Sequence, residues 1–362
     1  MYGNVVSRTF ISYMILPGSY TAVLILLIVG MLAWGAWANL FKAAGGKWRF
    51  ELFCFDFAVG IFLAAIVLGL TAGSLGFDGF SLRDDLQLAG KRHDMWGFAA
   101  GVVFNLGNML LLGAISIAGM AVAFPACMGC ALIVAAFWNF ALNPGGSTAL
   151  LFGGSAVVAG AIVFDILAFR TWSAVRAKAV QAEGGTGKPR RRRSTSKSVF
   201  LSLAGGLLIG SFPPLIQMGR QGEDGLGPYS IGFIFSIGVV FSTFVFNLFF
   251  MNLPVQGKAI EIAEYFNAKL SRHGLGILGG AVWYIGMIAS LVGGRVEGAA
   301  RVGAPLRFAL EQGAILIAAL CGVFLWREYE GGDSAVKIRI GLMFLLLLAG
   351  IGVMTAGVLA AR

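Results

Sequence analysis

The chain has 362 residues, 58% of them apolar and only 12% charged, against roughly 45–50% and 25% in soluble domains. A soluble fold of this size needs a charged shell, so the composition excludes a water-soluble globule. The formal charge is +10, but nine of the 27 basic residues fall between Arg170 and Lys197, which reads as a cytosolic loop rather than a nucleic-acid surface.

A bilayer core requires about 20 mostly apolar residues per helix. Ten such runs follow in chain order, at about 20–41, 51–72, 96–117, 119–141, 148–169, 199–219, 229–252, 274–293, 305–326 and 338–360. The first is too long for a signal-peptide core and is taken as a span. Only Ala118 and Gly119 separate the third from the fourth, which predicts a tight antiparallel hairpin. The expected fold is an all-α integral membrane protein with ten transmembrane helices. Residues 171–197 form a polar, basic, Gly/Ser/Thr-rich linker, expected to be disordered, between units at 1–170 and 198–362. Gly187-Lys188 in it resembles the end of a phosphate loop, but Ala182 and Pro189 break the pattern and no strand precedes it. Lys and Arg number 18 on the linker's side and nine on the other. The positive-inside bias then puts both termini outside a plasma or bacterial inner membrane and the linker in the cytosol.

The two units resemble each other in order. Gly35-Ala36-Trp37 matches Gly210-Ser211-Phe212 at an offset of 175, and Phe57-Ala-Val-Gly60 matches Phe235-Ser-Ile-Gly238 at 178. Gly101-Val-Val-Phe-Asn-Leu-Gly107 matches Gly280-Ala-Val-Trp-Tyr-Ile-Gly286 at 179, while Arg92-His93 and Pro125 match Arg272-His273 and Pro305 at 180. Five spans per unit is an odd number, so the second unit enters from the opposite face. Inverted repeats of this kind are the architecture of secondary transporters, with solute bound near the midplane between the halves.

Polar groups at membrane depth ask for a reason. Glu51, Asp56, Asp165 and Glu311 are the acidic candidates. Glu51 and Asp165 lie near interfaces and read as structural, whereas Asp56 and Glu311 are candidates for coupling a proton. Arg307 lies four residues before Glu311, so an ion pair along one helix face is the plainer alternative. Trp34, Trp37, Asn39, Asn105, Asn108, Gln217 and Gln312 form a set suited to a small uncharged polar solute, with indoles as walls and amides offering donors and acceptors. Asn105 and Asn108 share a helix face. Interhelical hydrogen bonding remains the alternative for each amide. Gly101, Gly107, Gly280 and Gly286 are expected where helices meet and slide. Pro213-Pro214 remove helical hydrogen bonds and should kink or unwind the sixth span beside a cavity. Cys54, Cys127, Cys130 and Cys321 all lie in apolar runs and read as small buried residues. Two histidines are too few for a histidine metal cluster, and neither a metal nor a cofactor is expected.

At the level of motifs, Trp34-Gly-Ala-Trp37-Ala-Asn-Leu40, Phe53-Cys-Phe-Asp56-Phe and Gly101-Val-Val-Phe-Asn-Leu-Gly107-Asn108 resemble the ureide permeases of the drug/metabolite transporter superfamily. The related glucose/ribose uptake porters are similar in plan. The match is best over residues 30–140 and extends to most of the chain in span layout. The resemblance implies ten spans in two inverted five-helix repeats, external termini and a cytosolic central loop. It departs where Ala38 or Asn39 stands near the family's proline, and where the central loop is short.

The expected function is secondary transport of a small polar solute, a sugar or a ureide- or nucleobase-like compound, by alternating access with a coupling proton as candidate partner. A drug or amine exporter of the same superfamily is the second reading, and a channel or membrane scaffold the third. No catalytic set points to an enzyme, and the lipid bilayer is the expected surroundings.

Overall fold

The computed structural model describes residues 14–45, 48–142, 147–182 and 195–360. Among them there are no strands, and ten helices are long and apolar enough to cross a membrane. In chain order the helices are α1 (Tyr20–Ala44), α2 (Phe50–Leu70), α3 (Leu82–Leu88), α4 (Lys91–Ala118), α5 (Met120–Leu142), α6 (Thr148–Ala182), α7 (Thr195–Arg220), α8 (Pro228–Asn252), α9 (Ala263–Phe266), α10 (Leu270–Gly293), α11 (Ala304–Leu320) and α12 (Ser334–Leu359). All but α3 and α9 are spans. The fold is an all-α membrane architecture.

Local signals explain many helix ends. The Ser19 hydroxyl accepts from the Ala22 amide at the start of α1, and Gly45, at φ 81°, ends it. Asp333 caps α12 in the same way. Gly119 alone joins α4 to α5 at φ 101°, a conformation that favours glycine. Two helices outrun the hydropathy signal. α4 begins at Lys91, taking in four polar residues before the apolar run, and α6 continues to Ala182, well past residue 169. The expected linker is therefore helical at its start, and its basic run at 188–193 lies outside the described residues.

The bundle is held by contacts that recur when five spans are added to each partner. α4 packs on α7, and its counterpart α10 packs on α1. α5 packs on α7 as α11 packs on α1, α4 on α8 as α10 on α2, and α5 on α6 as α11 on α12. Three further pairs, α2–α8, α5–α11 and α6–α12, map onto themselves.

Glycines make the closest approaches and make them in matching pairs. A methyl group on Gly101 would lie 2.1 Å from the Phe235 carbonyl oxygen, and one on Gly280 would lie 2.0 Å from that of Phe57. Gly60 meets the Ile277 carbonyl and Gly238 the Phe98 carbonyl, at 2.0 and 2.2 Å by the same measure. Gly107 lies against the Gly205 carbonyl and Gly286 against the Trp34 indole. Small residues let helix backbones approach where the hydrophobic effect between helices is absent.

Candidate functional site

Six spans, α1, α4 and α5 with their counterparts α7, α10 and α11, surround a cavity of about 630 Å³. The cavity runs from Trp37 and Asn108, near mid-height, to Arg220, Gln221 and Ala304 at one end of the bundle. Its size suits a small organic molecule.

The walls are aromatic. Trp283 stacks on Phe104 with ring centroids 4.0 Å apart and on Phe235 at 5.6 Å. Phe212 meets Phe104 edge-on at 5.4 Å. The Trp34 indole donates to the Trp283 carbonyl at 3.2 Å, which fixes the first wall to the second. Trp37 is seated on Phe57 at 5.0 Å and is 3% exposed. Such rings pack on one another and form an apolar wall to the cavity.

The polar groups are few. Asn108 is 1% exposed, and neither atom of its amide has a hydrogen-bond partner among the described residues. A buried amide left unbonded is costly, and this one borders the cavity. The Ser290 hydroxyl donates to Glu311 Oε1 at 2.5 Å, and Arg307 Nε approaches the same oxygen at 3.9 Å. Gln217, Gln312 and Arg220 complete the lining. Pro213 and Pro214 line it too, yet α7 runs through them unbroken. The expected unwinding is absent. The prolines withdraw two amide donors while neighbouring helices hold the segment helical. Ile209 and Gly210, whose carbonyls lose those donors, also border the cavity.

Several expected site residues lie elsewhere. The Asn105 amide nitrogen reaches the Val239 carbonyl, Ser242 Oγ and Thr243 Oγ1 at 2.8 to 3.2 Å, so it joins α4 to α8. Asn39 accepts from the Trp326 indole at 2.7 Å and donates to the Ala36 carbonyl at 3.0 Å. Asp56 is away from the cavity. Its Oδ1 accepts from the Tyr265 hydroxyl at 2.6 Å and lies 2.9 Å from His273 Nδ1, with Trp48 packed against both rings. Burial, and then the Asp56 carboxylate, push the Tyr265 phenol well above its ordinary pKa, so it stays a donor to that carboxylate. Gly101, Gly107, Gly280 and Gly286 are at the helix contacts described above.

The opposite end of the bundle is tied shut. Glu328 pairs with Lys42, and its carboxylate accepts from the Met120 and Ala121 amides at 2.9 and 2.5 Å, at the start of α5. The Trp326 bond to Asn39 is one turn away, and Lys42 lies 5.4 Å from the Trp326 ring centroid. Beyond this knot is a second cavity of about 970 Å³, bordered by Arg49, Ser116, Arg176 and Gln256. Buried Asp165 has no hydrogen bond on either carboxylate oxygen among the described residues. Neighbouring Tyr329 is pushed up by burial and by the charges of Asp165 and Glu328.

Arg220, Trp283, Ser290 and the Lys42–Glu328 knot were not among the residues expected from sequence. The repeat offset carries a signal for some of them. At the offset of 175 Lys42 corresponds to Gln217, and at the offset of 179 Phe104 corresponds to Trp283.

No family model matches the chain. Ureide permease 1 of Arabidopsis thaliana is 20% identical over 377 residues, covering 91% of this chain and 95% of that protein. One solved crystal structure aligns with a TM-score of 0.52, covering 95% of this chain and 100% of its own, at 16% identity, a likeness of fold alone. Along nearly its whole length, the chain is therefore similar in sequence to a plant permease.

Proposed function

We propose that this chain is a secondary transporter that moves a small polar solute across a membrane by alternating access of two inverted five-helix repeats. The observation that carries the reading is one cavity, built from equivalent spans of both halves, reaching one end of the bundle while the other end is tied by Lys42–Glu328 and Asn39–Trp326. The ten apolar spans, the exchange of contacts between the halves and the likeness to a plant permease support it. Two halves with interchangeable contacts can adopt each other's arrangement, which gives a second state of comparable energy.

In this reading Trp34, Trp37, Phe104 and Trp283 stack on the solute. Asn108, Gln217 and Gln312 hydrogen-bond it, and the unpaired Asn108 amide gains the partners it lacks. The solute class is a sugar or a ureide- or nucleobase-like compound, and the planar aromatic walls favour the ring amides over the sugar. Glu311 is the one acidic residue lining this cavity among the described residues and is the candidate for proton coupling. Its ties to Ser290 and Arg307 count against the amine-exporter reading, which needs a free carboxylate.

Counterflow tests the proposal. Proteoliposomes preloaded with unlabelled solute from a screened panel should take up labelled solute transiently above equilibrium. Uptake that preloading fails to accelerate would instead indicate a channel or scaffold. Glu311→Gln should abolish stimulation of uptake by a pH gradient while counterflow persists, and Asp56→Asn should leave that stimulation intact.

A further inference from the structure

Three helix ends bring arginines to the mouth of the aromatic cavity. Arg220 closes α7, Arg307 is in the first turn of α11, and Arg295 follows α10. Arg220 and Arg307 line the cavity, and the Arg307 guanidinium lies against Gly294, the neighbour of Arg295. Acidic compensation is thin. Glu311 reaches only Arg307, through Nε at 3.9 Å. Asp224, in the adjacent connection, is engaged by His93 at 3.2 Å. The side chain of partly buried Arg220 makes no ion pair or hydrogen bond among the described residues.

A guanidinium withdrawn from water beside two like charges is unfavourable until an anion joins it. The start of α11 adds to the same field. Its N-cap, Gly303, supplies no side-chain cap, and Ala304 borders the cavity. The first-turn amides and the positive end of the helix dipole therefore lie at this mouth without a side-chain acceptor. Farther in are the stacked rings of Phe104 and Trp283 and the unbonded Asn108 amide.

We infer that the solute is a small organic acid: a planar ring whose carboxylate is held by Arg220 and Arg307 while its body stacks on Trp34, Phe104 and Trp283 and its far edge meets Asn108. An arginine fork binds a planar carboxylate through two parallel N–H donors, which a lysine cannot reproduce. This goes beyond the uncharged solute classes of the transporter reading and puts an anion in the same cavity; for its biological meaning it rests on that reading.

The test is equilibrium binding to the purified full-length chain in detergent, so it stands apart from any transport assay. Two matched pairs serve as probes: nicotinate with nicotinamide, and benzoate with benzamide. Each pair keeps the ring and changes only the charge. The expected result is that both acids bind at least about tenfold more tightly than their amides, as charge-assisted pairing requires. That preference should weaken as salt is raised. Arg220→Gln should bring the ratio close to one by weakening the acids far more than the amides, and Arg220→Lys should retain part of it. Amides that bind as well as acids, a preference that survives Arg220→Gln, or no binding by any of the four would each overturn the inference. Failure of counterflow together with a clear acid preference would overturn the transport reading and leave this site standing.

Discussion

The two ends of the bundle are built from corresponding ends of α1 and α7 in opposite conditions. At one end Asn39 and Lys42 of α1 are tied to Trp326 and Glu328. At the other, Gln217 of α7, the counterpart of Lys42, lines the cavity together with Arg220 one turn on. Corresponding helix ends are thus tied in one half and, among the described residues, without side-chain partners in the other. A static scaffold has no need of such a difference. The proposed transporter does, because under alternating access the roles of the two ends would exchange.

The largest expected effect breaks the scaffold common to both ends. Gly280→Val would drive a side chain into the Phe57 carbonyl, where even a methyl group would lie 2.0 Å away. Overpacking against backbone costs about 1–3 kcal/mol or more, so size-exclusion and thermal unfolding should show aggregated or strongly destabilised protein. Gly274→Ala, with nothing within 4 Å, is the matched control and should unfold at or slightly above the parental temperature.

Next in size is the closed end. Glu328→Gln weakens the Lys42 pair and the cap on α5. Charge-assisted hydrogen bonds contribute about 1.5–3 kcal/mol, so the equilibrium should shift roughly tenfold or more toward the state open at that end. A cysteine placed by Gln312→Cys in the aromatic cavity should then react more slowly with a maleimide, whereas unchanged labelling would remove Glu328 from the gate. Asn39→Leu should act in the same direction by about 1 kcal/mol. Gln217→Leu should instead weaken solute binding.

The smallest contrast separates two asparagines three residues apart. Asn105→Ala should lower thermal stability by about 0.5–2 kcal/mol, as interhelical hydrogen bonds allow, with solute affinity unchanged. Asn108→Ala should weaken solute binding without that loss, since its amide has no partner among the described residues.

The spans were legible because charge is excluded from long apolar runs, a signal that survives without knowledge of packing. Their ends were less so. Lys91 to Asp94 continue α4 because helix propagation does not stop at the hydrocarbon edge, and α3 and α9 are too short to show a period. Within the site, sequence placed Asn105 and Asn108 on one face but could not say which would meet Ser242 and Thr243 and which would meet a cavity. Asp56 was legible as deep, yet its partners Tyr265 and His273 lie more than 200 residues away. Arg220 was counted as a loop charge because it ends a helix, and only the fold places it beside the cavity. Trp34, Trp37, Glu311 and the double proline were legible since each is unusual in its own run.

Spin-label distances across both ends of one reconstituted protein bear most directly on alternating access. Labels at exposed Ala43 and Glu330 report the Lys42 end, and labels at exposed Glu223 and Glu297 report the Arg220 end. The account expects each pair to show two populations that shift in opposite senses, so that a longer distance at one end accompanies a shorter one at the other when solute is added or Glu328→Gln is introduced. Distances that stay fixed at both ends, or that lengthen together, would contradict it.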